Sequence, residues 1–144
     1  MDAYFDSAII AKLYVRELNS ADAARLVSTD KPPFALTHWQ EIEVRNALRL
    51  KLFRREITAT ELSASLAAFD EDISTGRWRH TDYVLDDIYD RAAQLSARHA
   101  AEIGCRTLDI IHVAAALVLG LTEFFSFDER QRELARREGL KVKP

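Results

Sequence analysis

The sequence contains a single cysteine, Cys105, among 144 residues. That excludes an internal disulfide and the cysteine-rich zinc frameworks. Four glycines and three prolines are too few for a linker-rich or disordered chain. Long apolar runs are missing too. The longest, Ile110 to Leu121, contains His112 and falls short of the ~20 residues needed to cross a bilayer. Nor is there a basic excess: 20 lysines and arginines stand against 23 acids, a net charge of -3, so global charge does not announce nucleic acid. The opening MDAYFD has no basic stretch and carries Asp2 and Asp6, which predicts no secretory signal and a cytoplasmic protein.

What is present is the balance of a globular protein with a real core, 48% hydrophobic and 30% charged residues. The length predicts one domain over 1–144. No repeat or low-complexity tract interrupts it. Charge is unevenly spread. Arg45, Arg49, Lys51, Arg54 and Arg55 face only Glu56, a local +4, and the segment from Asp128 onward carries a local +2. Two readings are open for these stretches, solvated helix faces or a surface for phosphate.

Short apolar strands are predicted at Ala3-Tyr4-Phe5, Phe34 to Thr37, Glu123 to Phe127 and Leu140 to Val142. Helices are predicted between them. The first is capped by Ser7 and carries Ile9, Ile10, Leu13 and Tyr14; the next covers Ala21 to Val27. Trp39 to Phe53 follows with Ile42, Asn46, Leu50 and Phe53 on one stripe, then residues 58 to 75, capped by Thr58 or Thr60. Gly76 to His80 reads as a connection. Asp86 to Ile103 is helical and closed by Gly104. Thr107 to Leu119 is apolar almost all round, and a last helix follows Asp128. Strands buried on both faces and separated by helices predict an α/β fold, a short parallel central sheet of four or five strands with helices on either side, hence a helix-rich α/β/α sandwich.

Acids stand at the mouths of these elements. Asp6 and Asp128 each end a strand, where α/β sheets bind ligands. Asp109 lies in the first turn of the most apolar helix, and Glu43 one turn into the helix after the second strand. Capping and turn roles would explain each one singly. Together they form a candidate set. Converging carboxylates repel unless a cation joins them, and oxygen ligands without paired Cys or His suit Mg²⁺ or Mn²⁺. Such a site activates water and neutralises a phosphodiester, with no protein nucleophile. Ser7, Asn46 and Ser126 stand beside these acids as possible donors, and Arg45, Arg49 and Arg54 as possible contacts to an RNA backbone. His112 reads as a core histidine before a ligand, Trp78 as a packing anchor before a stacking platform, and Cys105 as a small buried hydrophobe.

At these residues the chain resembles the PIN-domain ribonucleases, and most closely the VapC-type toxins of bacterial toxin–antitoxin pairs. The matching segments are Tyr4 to Ala8 with Lys12-Leu13-Tyr14, Glu41 to Leu48, Arg106 to Ala116, and Phe125 to Arg130 followed by Ala135 and Gly139-Leu140. They fall in the family's order and cover nearly the whole chain. The resemblance implies a Mg²⁺- or Mn²⁺-dependent endoribonuclease whose metal-site acids are Asp6, Glu43, Asp109 and Asp128. It also implies an α/β/α sandwich, a homodimer and a cognate antitoxin. Residues 58 to 85 match no motif, and substrate choice is expected to lie there. Two other readings compete: a PIN-like RNA- or partner-binding module without catalysis, and a phosphate-receiving regulatory domain, for which a basic strand-end partner is wanting. If carboxylates crowd one another, Asp109→Asn should leave the metal-free fold intact or more stable.

Overall fold

The computed structural model describes all residues from Met1 to Pro144. It is α/β and helix-rich, with eight α-helices and five three-residue strands. Every strand pair is parallel. No helix is long and apolar enough to cross a membrane. The chain divides into two compact units, one of Met1 with Ser7–His80, the other of Asp2–Asp6 with Thr81–Pro144. The strands follow that division, pairing as a set of three and a set of two.

The second unit holds the three-stranded sheet, in the order β1 (Ala3–Phe5), β4 (Glu123–Phe125), β5 (Lys141–Lys143). In register, Phe5 lies opposite Phe125 and Phe125 opposite Lys143. Pairing runs one residue past the strands, because Asp6 N–H donates to the Phe125 carbonyl at 3.0 Å and Ser126 N–H to that of Lys143 at 3.1 Å. This extension fixes the backbone of both residues at the carboxyl end of the sheet. The helix α7 (Thr107–Val118) buries every residue from Asp109 to Ala116 except Ile111, as its apolar composition requires. It packs on α5 (Leu85–Leu95) and α8 (Glu129–Arg137). The helix expected unbroken to Ile103 instead widens after α5 into a π turn at Ser96–Ala100 before the short α6 (Ala101–Ile103). Gly104 closes it with φ 72, a conformation that glycine adopts without penalty.

The first unit pairs β2 (Phe34–Leu36) with β3 (Trp78–His80). The segment containing β3 reads in the sequence as a connection. Only Trp78 of its three residues is buried, so it offers neither an apolar run nor an alternation to read. Trp78 is the anchor: fully buried, its indole N–H donates to the Tyr14 hydroxyl at 2.6 Å, and Tyr14 in turn donates to Asp72 at 2.5 Å. Tyr14 was expected on the first helix, but α1 (Ser7–Lys12) stops short of it. Helix α2 (Ser20–Ser28) matches its expected position. Capping boxes start both long helices, Thr37 with Gln40 at α3 (His38–Phe53) and Thr58 with Glu61 at α4 (Ala59–Ser74).

Helix α3 turns a different face inward from the one expected. Val44 and Leu48 are buried together with Gln40, while Ile42, Leu50 and Phe53 are exposed, Phe53 by 83%. Its apolar residues fall on more than one stripe, so spacing alone does not choose the inner face.

Candidate functional site

Three of the four candidate acids lie in the second unit, and one hydrogen-bonded chain joins them. Asp6, 2% exposed, accepts a short hydrogen bond from the Ser126 hydroxyl. The same hydroxyl accepts from the Asp128 backbone N–H at 3.0 Å. Asp128 Oδ1 accepts from the backbone N–H groups of Arg130 at 2.9 Å and Gln131 at 3.0 Å. The Gln131 amide nitrogen then donates to Asp109 Oδ1 at 3.1 Å. The run is therefore Asp6, Ser126, Asp128, Gln131, Asp109.

Local sequence explains each placement. Asp6 and Ser126 follow two adjacent parallel strands, so the register brings them side by side at one sheet end. Asp128 is the N-cap of α8, where the first backbone N–H groups need acceptors. Asp109 sits in the first turn of α7, and its Oδ2 accepts the Arg106 backbone N–H at 2.9 Å. The capping roles open to Asp109 and Asp128 from sequence are thus real. Asp6 immediately precedes α1. It is a carboxylate enclosed at a strand end and held by a hydroxyl. Asp109 also has the Arg106 guanidinium at 3.5 Å, but that side chain is 73% exposed and water screens it.

The surroundings of Asp109 correct one expectation. Its two oxygens face donors, Arg106 N–H and the Gln131 amide, not other carboxylates. An asparagine there would turn one of these contacts into donor against donor. Asp109→Asn is therefore expected to cost stability, not add it.

The fourth acid, Glu43, belongs to the first unit. It is half-buried on α3 and accepts from the Ser7 hydroxyl at 3.0 Å. Ser7 was expected to cap α1. It is instead the first residue of that helix, buried, with its hydroxyl spent on Glu43. Asn46 is exposed further along α3. Of the basic candidates, Arg45 is already engaged. It makes hydrogen-bonded ion pairs to Glu41 at 2.8 Å and Asp70 at 2.6 Å, and lies over the Phe69 ring. Lys51 is bound to Glu17 and Glu56. Arg49 and Arg54 are exposed and remain the candidates for phosphate. His112 is the core histidine expected, 3% exposed, with its Nδ1 2.7 Å from the Tyr4 hydroxyl. Cys105 is buried beside α7, and burial pushes its thiol pKa up, away from reactivity.

Gln131 was absent from the sequence-derived set. A signal was there: Leu134 and Ala135 are the buried residues of α8, and Gln131 precedes them by three and four positions. It is thus a polar residue on the inner stripe of a strongly amphipathic helix.

The donor chemistry of Asp6, Asp109, Asp128 and the Gln131 carbonyl is hard oxygen throughout, which fits Mg²⁺ or Mn²⁺ and not zinc. As they lie, however, no three or more His, Cys, Asp or Glu side chains are gathered so that they could hold a metal ion. Each carboxylate is occupied by protein donors. No family model matches the chain, and no curated protein matches it.

Proposed function

We propose that the protein is a Mg²⁺- or Mn²⁺-dependent endoribonuclease of the PIN-domain, VapC type, the toxin of a toxin–antitoxin pair. The observation that carries the reading is the linked set of Asp6, Asp128 and Asp109 at the carboxyl end of a parallel sheet. That is where α/β folds place ligand chemistry. The ordered resemblance of four sequence segments supports it independently. A bound cation would supply a polarised water and neutralise charge on the scissile phosphate. The chain's own part is to hold negative oxygens at fixed positions. Ser126 orients Asp6, the start of α8 orients Asp128, and Gln131 with Arg106 N–H orients Asp109. The resemblance gives Glu43 the same role, and adds a cognate antitoxin, a homodimer and a cytoplasmic setting. Exposed Ile42 and Phe53 on α3 support a protein partner, since large apolar side chains in open solvent invite cover.

A second reading has an observation of its own. Each of the three carboxylates accepts from protein donors, and they are not gathered for a metal. That favours a PIN-like RNA- or partner-binding module that does not cleave. Total cellular RNA incubated with antitoxin-free protein, in Mn²⁺ or chelator, separates the two. Discrete metal-dependent fragments that vanish with Asp6→Asn would support the nuclease. RNA binding without cleavage, unchanged in that variant, would support the module.

A further inference from the structure

Gln131 is 8% exposed, and its two amide atoms fare differently. The nitrogen donates to Asp109 Oδ1 at 3.1 Å, which fixes which end of the amide faces the carboxylate. The oxygen Oε1 is buried and has no hydrogen-bond partner. It shares a carbon with that nitrogen, so it lies beside Asp109. The residue's own backbone N–H is bound to Asp128 at 3.0 Å, so one residue touches both aspartates. A buried carbonyl with no partner is costly, by ~1–3 kcal/mol, and native structures keep few of them. A leucine would serve packing on this stripe of α8 equally well, without that cost.

We infer that Gln131 is the neutral oxygen donor of the aspartate set: its amide nitrogen positions Asp109, and its amide oxygen takes a divalent cation, directly or through one of the cation's waters. The chemistry is balanced for this. An amide oxygen is a hard ligand of the kind Ca²⁺, Mg²⁺ and Mn²⁺ accept, and it adds no charge beside the Asp109 carboxylate. It also explains how a set without three gathered acids can still serve a cation. The inference rests on the proposed site but not on RNA cleavage.

The test is Mn²⁺ alone, titrated into the full chain and followed by the loss of free Mn²⁺ signal in electron paramagnetic resonance, with melting temperature recorded alongside. Wild type, Gln131→Leu and Gln131→Glu are compared. Gln131→Leu should bind Mn²⁺ about ten- to a hundredfold more weakly, the usual loss when a supporting group of a metal site is removed. Gln131→Glu keeps the shape but sets a carboxylate against Asp109. It should melt lower than wild type without metal and gain more from Mn²⁺. Equal Mn²⁺ affinity in wild type and Gln131→Leu, or no extra gain in Gln131→Glu, overturns the role of Gln131 and leaves the nuclease reading standing. Wild type that takes up no Mn²⁺ at millimolar concentration overturns the metal site, and both readings with it.

Discussion

Two sets of acids, one in each unit, are held in opposite ways. In the first unit, the carboxylates around Arg45 and Lys51 are matched by cations. Glu41 and Asp70 share Arg45, and Glu17 lies between Lys12 and Lys51. Burial alone would push the Glu41 carboxyl up, but Arg45 and His80 outweigh it and hold it below the ordinary range. Glu17 is held down in the same way by Lys51 and Lys12. In the second unit, Asp6 and Asp128 are held by a hydroxyl and backbone N–H groups. An acid matched by a cation has its charge cancelled and serves structure. A hydroxyl or backbone N–H orients a carboxylate without bringing a compensating charge of its own. Orientation by neutral donors, more than the number of acids, is what singles out Asp6 and Asp128 for the proposed site.

The comparison breaks first at Asp6. Asp6→Ala is expected to reduce RNA cleavage at least about a hundredfold, measured on a single cleaved substrate in Mn²⁺. Cleavage at the wild-type rate would place the chemistry elsewhere. Next comes Asp109→Asn. It should cut cleavage similarly and lower metal-free stability by about 1–3 kcal/mol in urea unfolding, because a donor then faces a donor. Unchanged or raised stability would mean that the Gln131 contact contributes little. Charge reversal of Arg49 and Arg54 should weaken RNA binding about tenfold and reduce its salt slope by up to about two. An unaltered slope would remove that face from RNA.

The smallest effect is expected at Glu41→Gln, in the cation-matched set of the first unit. It should leave cleavage unchanged and cost up to about 1 kcal/mol. The sign with pH follows from the lowered carboxyl. The stabilisation is present above the unfolded glutamate value of about 4.3, and it is lost as pH falls through the lower folded value. Wild type and Glu41→Gln should therefore converge in acid. A gap that persists there would assign the effect to packing.

Much of this is legible in the sequence, and the exceptions have physical causes. Strands β1 and β4 are apolar runs closed by aspartate, and α7 is apolar on nearly every side; such segments have one good solution each. Strand β3 has only Trp78 to bury, and its identity comes from pairing with β2, which no local pattern announces. The inner face of α3 is not legible in its spacing, because Ile42, Leu50 and Phe53 suggest one stripe while Gln40, Val44 and Leu48 fill the core. Of the site, the acids were legible as residue types at element ends. Their linkage was not, because Ser126 and Gln131 act through hydrogen bonds spanning 120 and 22 positions. Arg45 pairs with Glu41 four positions earlier, which the sequence shows, and with Asp70 on another helix, which it does not.

The π turn at Ser96–Ala100 has a consequence for descent. A turn of this kind holds one more residue than an α-helical turn, and π turns arise when a helix absorbs a single inserted residue. Everything beyond it is rotated by about 100° relative to an unbroken helix. In this chain the widened turn presents Arg98 and His99 together to Glu138, at 3.4 and 2.8 Å. A homologue one residue shorter between positions 96 and 100 would carry a straight helix and lose that shared contact. The length difference would then fall inside a helix, where insertions are ordinarily least tolerated, and not in the loop after Gly104.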